Sequence, residues 1–448
     1  MIKLYNTATR KIESFKPLGE VVKIYTCGPT VYNFQHIGNY ASYIYWDLLI
    51  RTLKLDGYKV KRVLNLTDVG HLVSDGDEGE DKLEKGAARE GKSVYEIADY
   101  YIEDYLANYR TLELTWPDVL TRATDFIEED KQAVDAMTAN GYTYETSDGV
   151  YFDTTRFAKY ADFARLDLAG LQAGARIGFS DEKRNASDFA VWKFIKPGEK
   201  HAMRWDYLGR PGYPGWHLEC STIIHKELGE PIDIHTGGID HIPVHHTNEI
   251  AQTYAAYGHE LSRYWLHCDF ITIDGQKISK SLGNTYVLKD LAERGFSPMD
   301  YKMWVLSGHY QGARNFTFES LEAAKNRRQN WRARIALCYQ KDVSDELGAF
   351  EKILAAVNNN LNSAEAFALV DSSTLSLEDW QKIDELFGLR LIADTPDISE
   401  EQYALIKERD SARVAKNFAK SDEIRDTLIA QGVAVKDTTG GGIWEYIN

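Results

Sequence analysis

The chain has 448 residues, more than one hydrophobic core usually supports, so we expect roughly two to four domains. Hydrophobic residues make up 44% and charged residues 27%, which excludes a largely disordered chain. No run of about 18 apolar residues occurs, and residues 1–20 lack the apolar core of a secretory signal, so no membrane span is expected. The net charge of −16 argues against indiscriminate coating of nucleic acids, although a local basic surface is compatible with it.

The four cysteines, at positions 27, 220, 268 and 338, are too few and too scattered for a disulfide scaffold. Sparse, unpaired cysteines are typical of proteins in a reducing compartment. We therefore expect a cytoplasmic protein.

The first part of the sequence predicts a β–loop–α–β unit. Residues 21–27 form a short apolar run, residues 39–53 carry apolar side chains at helical spacing, and residues 59–66 form a second strand pattern. Such a unit opens a doubly wound parallel sheet, so the sequence predicts an α/β, Rossmann-like catalytic domain.

The rest of the chain alternates strand and helix patterns before it becomes helical. The predicted elements are helices at 82–110 and 124–139, a hairpin around 147–149, a mixed polar insertion at 155–200, a strand at 232–235, a helix at 241–257, a strand at 265–273, and helices from 321 to a Gly-rich tail.

Three potential metal ligands, Cys220, His245 and Glu249, lie close together in the sequence. His245 and Glu249 are four residues apart on a predicted helix, so they share one face. Thiolate, imidazole and carboxylate are all zinc ligands, but a buried cysteine and a helix-start histidine fit the spacing equally well. Cys27 ends the first predicted strand and is a possible fourth ligand, which only the fold could bring to Cys220.

Two segments have the composition of phosphate-binding sites. His36, Gly38 and Asn39 lie at a predicted loop-to-helix junction, where free backbone N–H groups and the helix dipole favour a phosphate. Far downstream, KISKS supplies Lys277 and Lys280, whose charges suit a departing pyrophosphate. Taken singly, each segment is also compatible with an ordinary helix cap or a polar surface turn.

Together these motifs resemble a known family. HIGN and KISKS are similar to the HIGH and KMSKS signatures of class I aminoacyl-tRNA synthetases. The segments that narrow the resemblance to cysteinyl-tRNA synthetases are YTCGPTVYNFQHIGN, KRNASDFAVWK, GWHLEC, DIHTGGIDHIPVHHTNEIAQ, KISKSLGN and the tail RDSARVAKNFAKSDEIRDTLIAQGVAVKDTTGGGIW. The departures are Asn39 in place of the second histidine of HIGH, Ile278 for methionine, and Thr247 for glutamate.

The resemblance implies ATP-dependent attachment of L-cysteine to tRNA(Cys) through a cysteinyl-adenylate, with AMP and pyrophosphate released, by a cytoplasmic monomer. It implies one zinc ion per chain, held by Cys27, Cys220, His245 and Glu249, and Mg²⁺ bound with ATP. The implied ATP-binding and catalytic residues are His36, Gly38, Asn39, Lys277 and Lys280. The implied substrate-binding residues are Cys27, Gly28, Thr30, Asn65, Thr67, Trp216, Gly238 and, facing the ammonium group, Asp240.

The resemblance also implies a domain order along the chain. The expected parts are a catalytic domain in two halves (1–130 and 196–260), a connective insertion (131–195), a stem-contact region with KISKS (261–318), a helical bundle (319–395) and an anticodon-binding domain (396–448). At helical spacings of three and four, Lys325, Arg328 and Arg332 share one face and are candidate tRNA contacts. Alternatively, that face is solvated and paired with acids such as Glu319 and Glu322.

Two other functions are compatible with parts of the sequence. The first is the joining of cysteine to an amino sugar in mycothiol synthesis, by an enzyme that resembles the catalytic half but lacks the tRNA-binding tail. The presence of residues 400–448 favours a synthetase instead. The other is that of a synthetase-like protein that binds RNA or cysteine without catalysis, but the intact HIGN and KISKS motifs argue against it.

Overall fold

The computed structural model of the protein describes most of the chain. The described residues are 1–69, 87, 91–167, 182–196, 198–199, 201–279, 282–341, 343, 346–438 and 441–447. Lys280 and the start of the helix predicted at 82–110 lie outside these residues.

The strands of the described residues form five sheets. In chain order they are β1 (Lys3–Asn6), β2 (Lys11–Ser14), β3 (Val21–Thr26), β4 (Lys59–Leu66), β5 (Val119–Arg122), β6 (Thr143–Glu145), β7 (Gly149–Phe152), β8 (Phe189–Phe194), β9 (Trp205–Tyr207), β10 (Arg210–Pro214), β11 (Ile232–Gly238), β12 (Ser262–Cys268), β13 (Ile271–Ile273), β14 (Gln276–Lys277), β15 (Arg314–Phe316), β16 (Val433–Thr438) and β17 (Gly441–Tyr446).

The helices of the described residues lie mostly in the second half of the chain. They are α1 (Ile37–Leu55), α2 (Val94–Thr111), α3 (Ile127–Ala139), α4 (Leu218–Glu227), α5 (Thr247–Tyr257), α6 (Leu288–Glu293), α7 (Pro298–Leu306), α8 (Phe318–Gln340), α9 (Ala349–Asn358), α10 (Ser363–Ser372), α11 (Leu377–Phe387), α12 (Glu400–Val414) and α13 (Phe418–Ala430). Among these described helices, none combines the length and apolar character needed to cross a bilayer.

A parallel sheet with the order β12-β11-β3-β4-β5 confirms the predicted fold class. The β3–α1–β4 unit matches the predicted one in position and type. From β3 the chain adds β4 on one side of the sheet, and later adds β11 on the other side. The order of strand addition therefore reverses between β3 and β11, although the strands stay parallel. In open α/β sheets, ligands bind outside the carboxyl ends of the strands at such a switch point.

Alternating side chains of the central strands pack on helices on both faces of this sheet. Ile24 and Leu64 belong to the apolar core that contains α1 and α2. Tyr25 and Val63, one residue away on each strand, pack with Ile223 and other residues of α4. This alternation follows from the two-residue period of a strand and places α4 next to the end of β3.

The predicted insertion contributes to a second sheet, which is antiparallel and has the order β6-β7-β8-β10-β9. The predicted hairpin is confirmed as β6 and β7. The prediction of a mixed polar segment over 155–200 is wrong for β8, FAVWKF, in which every residue is buried. As a central strand, β8 is covered on both faces and therefore shows no polar alternation.

The strand predicted at 265–273 is two strands in two different sheets. β12 ends at Cys268 and completes the parallel sheet. β13 instead pairs with β14 and β15 in a small sheet that carries Lys277. Asp269 and the exposed Phe270 lie at the break, which the overall strand-like pattern of the segment did not reveal.

Beyond residue 321 the predicted helical region is confirmed, with β16 and β17 at the Gly-rich tail. The 23-residue helix α8 is about 35 Å long and begins just after β15 of the small sheet. At its other end, the side-chain amide of Gln340 donates to Trp444 O (2.8 Å) and accepts from Trp444 N–H (2.7 Å). A single helix thus connects the small sheet to the C-terminal hairpin.

Arg328 does not face solvent, contrary to the basic surface predicted on α8. Its side chain is buried, donates to Leu389 O (3.2 Å), pairs with Asp394 and lies 3.8 Å from Asp300. The reason is that Arg328 shares the apolar stripe of α8 that packs into the core. That stripe consists of Leu321, Ala324, Trp331 and Ile335.

Arg332 and Lys325 are also bound within the protein. The guanidinium of Arg332 donates to Asp394 O (2.5 Å) and Thr395 Oγ1 (3.0 Å), and Lys325 Nζ donates to Gly295 O (3.2 Å). The three cations therefore stabilise the helical region and do not form the exposed stripe predicted for tRNA phosphates.

Replacing Arg328 with glutamine should lower the free energy of unfolding by about 1–3 kcal/mol, because it leaves buried acceptors without a donor. A denaturant titration followed by circular dichroism measures this loss. The matched control is Arg425→Gln, an exposed arginine in surface ion pairs, which should cost less than about 0.5 kcal/mol. Equal unfolding midpoints for the two variants would contradict a structural role for Arg328.

Candidate metal and nucleotide site

The four predicted zinc ligands meet where β3 and β11 separate. Cys27 follows β3, and its N–H donates to Thr236 O on β11 (3.3 Å). Cys220 lies in α4, His245 in a π-helical turn just before α5, and Glu249 one turn further along in α5. Because these elements converge at the switch point, the fold brings Cys27 to ligands that are remote in sequence.

The geometry of the four side chains suits a single metal ion. His245 Nε2 lies 2.7 Å from Glu249 Oε1 and 3.7 Å from Cys27 Sγ. The ligand atoms of all four residues, Cys220 included, lie within 4.8 Å of one another, and all four side chains are buried. Two atoms bound to one zinc, each at about 2.0–2.3 Å, lie roughly 3–4.6 Å apart, so a small separation of His245 from Glu249 would let all four atoms bind the same ion.

The surroundings of Glu249 also fit a bound cation. Its Oε2 accepts a hydrogen bond from His235 Nε2 (2.7 Å). Its buried Oε1 accepts no hydrogen bond with acceptable geometry from the residues that the structure describes, despite the proximity of His245. A buried carboxylate oxygen without a donor is costly unless a cation neutralises it. Two sulfurs, an imidazole and a carboxylate form a donor set that zinc prefers.

Electrostatics already favour ionised ligands at this site. Hydrogen bonding with Cys27 lowers the pKa of Cys220 to about 6, against the opposing effect of burial. Burial raises the pKa of Cys27 above its ordinary value. Burial also opposes ionisation of Glu249, but the neighbouring His235 and His245 outweigh it and hold the pKa of Glu249 below its usual range. A thiolate and a carboxylate are therefore available to a divalent cation.

A second set of four groups overlaps the first. Cys27 and Glu249 also lie close to His235 and His246, with His246 Nε2 3.5 Å from Cys27 Sγ. Of the two sets, the one with Cys220 fits zinc better, because it offers a second sulfur ligand. In that assignment His235 orients Glu249 through their hydrogen bond, as the supporting groups around metal ligands commonly do.

Sequence reasoning missed a network of histidines around the ligands. His217 Nδ1 lies 2.9 Å from His245 Nδ1, and His246 Nδ1 lies 2.7 Å from His267 Nε2. The other ring nitrogen of His267, Nδ1, lies 2.8 Å from Thr7 Oγ1. The sequence contained a signal for it, because eight of the twelve histidines fall between residues 217 and 267. Local spacing could not show which of them lie among the candidate metal ligands and which surround those ligands.

Four of the predicted substrate-binding residues are connected to one another beside Cys27. Gly28 N–H donates to Asn65 Oδ1 (2.7 Å), and Asn65 Nδ2 donates to Thr67 Oγ1 (2.8 Å). Thr30 pairs with Thr67 in a short parallel bridge. A Cβ atom at Gly28 would lie 1.5 Å from Asn65 O, so this close approach requires glycine.

The other predicted substrate-binding residues also lie near the metal ligands. The indole of Trp216 is stacked against the imidazole of His245, with ring centroids 5.9 Å apart. Gly238 ends β11, and a Cβ atom there would lie 2.4 Å from Asp240 Oδ1. Asp240 is exposed, so its carboxylate is accessible to a cationic group.

The HIGN motif caps α1 and contacts the downstream motif. His36 Nδ1 accepts from Asn39 N–H (3.3 Å), and Asn39 Oδ1 accepts from His36 N–H (3.1 Å), which forms a reciprocal cap. A Cβ atom at Gly38 would lie 2.7 Å from Ile278 Cδ1. The fold therefore places Ile278 against the start of α1, whose dipole favours an anion.

Of the two predicted lysines, Lys277 is exposed at the end of β14, directly before Ile278. Lys280 lies outside the described residues, so its position relative to α1 stays a prediction.

Comparisons with known proteins cover almost all of the chain. Residues 14–326 match the family of class I tRNA synthetase (C) catalytic domains, and residues 395–444 match the cysteinyl-tRNA ligase anticodon-binding domain. A cysteine–tRNA ligase of Treponema denticola is 38% identical over an alignment of 490 residues, which covers 100% of each chain. Cysteine–tRNA ligase 1 of Burkholderia lata is 42% identical and covers 98% of this chain and 96% of its own length.

The chain belongs to the cysteinyl-tRNA synthetase family. This makes it a class I aminoacyl-tRNA synthetase. A solved structure of Mycobacterium tuberculosis methionyl-tRNA synthetase with methionyl-adenylate covers 83% of this chain and 89% of its own, with a TM-score of 0.60 and 17% identity. At 17% identity the similarity shows the fold alone. That shared fold agrees with the parallel sheet and the C-terminal helices described above.

In this synthetase Asn39 replaces the second histidine of the HIGH signature. Its carbonyl oxygen is used by the reciprocal cap with His36, while its Nδ2 has no hydrogen-bond partner among the described residues. The amide can therefore stabilise α1 and still offer a donor at the start of the helix.

Proposed function

We propose that the protein attaches L-cysteine to tRNA(Cys) in two steps. The cysteine carboxylate attacks the α-phosphate of ATP, which gives cysteinyl-adenylate and pyrophosphate. The terminal ribose of the tRNA then attacks the adenylate carbonyl and releases AMP. The observation that carries this proposal is the convergence of two cysteines, a histidine and a glutamate at the switch point. The close approach of Gly38, in HIGN, to Ile278 of the downstream motif supports it.

The proposed metal explains how cysteine is distinguished from serine. The two amino acids have nearly the same shape, so an apolar pocket separates them poorly. Bound by Cys27, Cys220, His245 and Glu249, zinc would supply a Lewis acid that takes up the substrate sulfur as a thiolate and disfavours a neutral hydroxyl. The reacting carboxylate lies at the other end of the amino acid, so recognition and chemistry are separate.

Other residues of the chain would hold the remaining groups of the substrate. We assign the ammonium group to the accessible carboxylate of Asp240, and one wall of the pocket to Trp216. Gly28, Thr30, Asn65 and Thr67 form a connected wall on the side of β4. Holding both reactants in this way supplies proximity and orientation, which suffices for a reaction without a covalent enzyme intermediate.

ATP would bind at the start of α1. The backbone N–H groups near Gly38 and the side chains of His36 and Asn39 face the phosphates, and Mg²⁺ accompanies the nucleotide as its counter-ion. Lys277 and Lys280 would stabilise the negative charge that develops on the departing pyrophosphate.

Replacing Lys280 with alanine should slow adenylate formation by about 10²–10³-fold, because the charge acts mainly in the transition state. Single-turnover adenylation measures this rate, and equilibrium binding of cysteine should change far less. Lys289→Ala, which removes an exposed lysine on α6, is the control and should keep the normal rate. Unchanged adenylation in the Lys280 variant would remove this lysine from the proposed mechanism.

The family assignment also guides the proposed partners and location. We propose tRNA(Cys), ATP and L-cysteine as partners of a cytoplasmic, monomeric enzyme whose C-terminal region, matched by the anticodon-binding family, contacts the anticodon. The domain boundaries predicted from the sequence stay predictions.

ATP–pyrophosphate exchange tests the proposed activation step. Exchange should depend on cysteine, and serine should support it at least on the order of 10²-fold less well. Exchange without a preference for cysteine, or no exchange at all, would contradict the proposed function. A non-catalytic cysteine- or RNA-binding protein would show no exchange, whereas the cysteine–amino-sugar ligase would show exchange but no charging of tRNA.

A further inference from the structure

The segment that follows β4 is paired with the loop that follows β3. Thr67 N–H donates to Pro29 O (3.0 Å), and Thr67 O accepts from Val31 N–H (3.2 Å). The chain then turns sharply, because Asp68 N–H donates to Leu66 O (3.1 Å), only two residues back. The turn therefore sets the position of a connected group of residues that we call the cysteine wall. The cysteine wall consists of Gly28, Thr30, Asn65 and Thr67.

The carboxylate of Asp68 fixes this turn to the neighbouring strand. Asp68 is 1% exposed, and its Oδ2 accepts from Arg122 Nε (2.7 Å) and from Thr124 Oγ1 (2.7 Å). Its Oδ1 accepts from Thr124 N–H (2.9 Å). Arg122 ends β5, and Thr124 lies in the turn that follows β5. A buried carboxylate with three donors is held in one orientation, because any of these groups would be costly to leave unpaired.

The side chain of Arg122 connects this carboxylate to a second acid. Its Nη2 lies 2.7 Å from Asp99 Oδ1 on α2, while its Nε binds Asp68. A guanidinium presents its N–H groups in fixed directions, so one arginine can hold two carboxylates at a set separation. The contact thus ties the ends of β4 and β5 to α2.

We propose that Asp68 and Arg122 are positioning residues for the recognition of cysteine, which rests on the function proposed above. They lie outside the cysteine wall and act on it through Thr67. Thr67 Oγ1 accepts from the amide of Asn65, and that amide in turn accepts from Gly28 N–H. Gly28 directly follows the first proposed zinc ligand, so these contacts run from the buried carboxylate to the edge of the proposed metal site.

This arrangement predicts an effect on cysteine that is separate from ATP and from the metal. In the described part of the chain, no side-chain hydrogen bond of Asp68 or Arg122 involves a proposed zinc ligand or a residue of HIGN. Loss of the contact should therefore shift the cysteine wall and leave the other two sites in place. A misplacement of about 1 Å at a site that orients a substrate can cost as much as 10²-fold.

The variant Asp68→Asn tests the proposal, because it keeps the shape of the side chain but removes the charge that Arg122 binds. The KM for cysteine in ATP–pyrophosphate exchange should rise about 10-fold or more. The KM for ATP and the zinc content per chain should each change less than about 2-fold, which a general loss of structure would not allow.

Asp233→Asn is the matched control. Asp233 is completely buried near the amino end of β11, and its carboxylate accepts from Leu18 N–H (2.6 Å) and Lys23 N–H (2.8 Å). The control should lower the thermal unfolding midpoint at least as much as Asp68→Asn and leave the KM for cysteine unchanged. An equal rise of this KM in both variants would show that any loss of a buried carboxylate has the same effect, and would overturn the proposal.

The variant Thr67→Val separates action through the cysteine wall from an independent effect, because it removes Oγ1 at nearly the same shape. Adding Asp68→Asn to it should raise the KM for cysteine less than about 2-fold further. Effects that multiply, or an unchanged KM in Asp68→Asn, would overturn the positioning role and leave the proposed function intact. If Asp68→Asn does not fold, Arg122→Gln at the partly exposed end of the pair gives the same test. A wild-type protein without cysteine-dependent exchange would contradict both proposals.

Discussion

Replacing Cys220 with alanine should remove most of the zinc that we expect in the wild-type protein, about one ion per chain. The variant loses one of two sulfur ligands and leaves Cys27, His245 and Glu249 as an incomplete set. Loss of a supporting residue alone typically weakens metal binding by about 10–100-fold, so loss of a ligand should exceed that range. Metal analysis of the purified protein measures the zinc content directly.

Cys338→Ala is the matched control for this experiment. Cys338 is half-buried, lies on α8 and contacts the backbone oxygens of Arg334 and Leu375, far in sequence from the ligands. It should keep its zinc and its cysteine-dependent exchange, whereas Cys220→Ala should lose both. Equal zinc contents in the two variants would contradict the assignment of Cys220 as a zinc ligand.

Replacing Asp47 with alanine should lower the free energy of unfolding by about 3–5 kcal/mol, because it leaves the ammonium of Lys302 buried without its counter-charge. Lys302 Nζ lies 2.9 Å from Asp47 Oδ2, and both side chains are almost completely buried. Burial lowers the pKa of Lys302 to about 8 against the opposing effect of Asp47, so removal of that carboxylate should lower it further. Asp47 lies on α1 and Lys302 on α7, so the pair joins the catalytic sheet to the helices that follow KISKS.

Glu293→Ala is the matched control for the Asp47 variant. Glu293 pairs with Lys289 at 3.9 Å on the surface of α6, where both side chains are well exposed. Its loss should cost less than about 1 kcal/mol, since exposed ion pairs contribute little. Denaturant titrations of both variants compare the two costs, and similar midpoints would mean that the buried pair contributes no more than a surface pair.

Local sequence patterns were sufficient for the parts of the site that depend on neighbouring residues. The four-residue spacing of His245 and Glu249 placed both on one face, and their atoms lie 2.7 Å apart in the structure. Residues 21–66 carried a β–loop–α–β pattern that became β3, α1 and β4. The meeting of Cys27 with Cys220 depends on the order of strands in the sheet, which no local pattern contains; only the family resemblance anticipated it.

Helix faces and supporting residues were harder to predict. Lys325, Arg328 and Arg332 share a face by spacing, but spacing alone does not show whether that face packs inwards. The stripe of Leu321, Ala324, Trp331 and Ile335 passes through position 328 and would have indicated its burial. The histidines around the candidate ligands likewise depend on contacts between separate strands and helices, as His246 with His267 shows.

Aminoacylation of a tRNA(Cys) transcript by the purified protein tests the central claim most directly. With ATP and Mg²⁺, the zinc-loaded protein should transfer cysteine to the terminal ribose of this tRNA and should transfer serine at a rate lower by on the order of 10²-fold or more. A protein that supports cysteine-dependent exchange but leaves tRNA(Cys) uncharged would contradict the account.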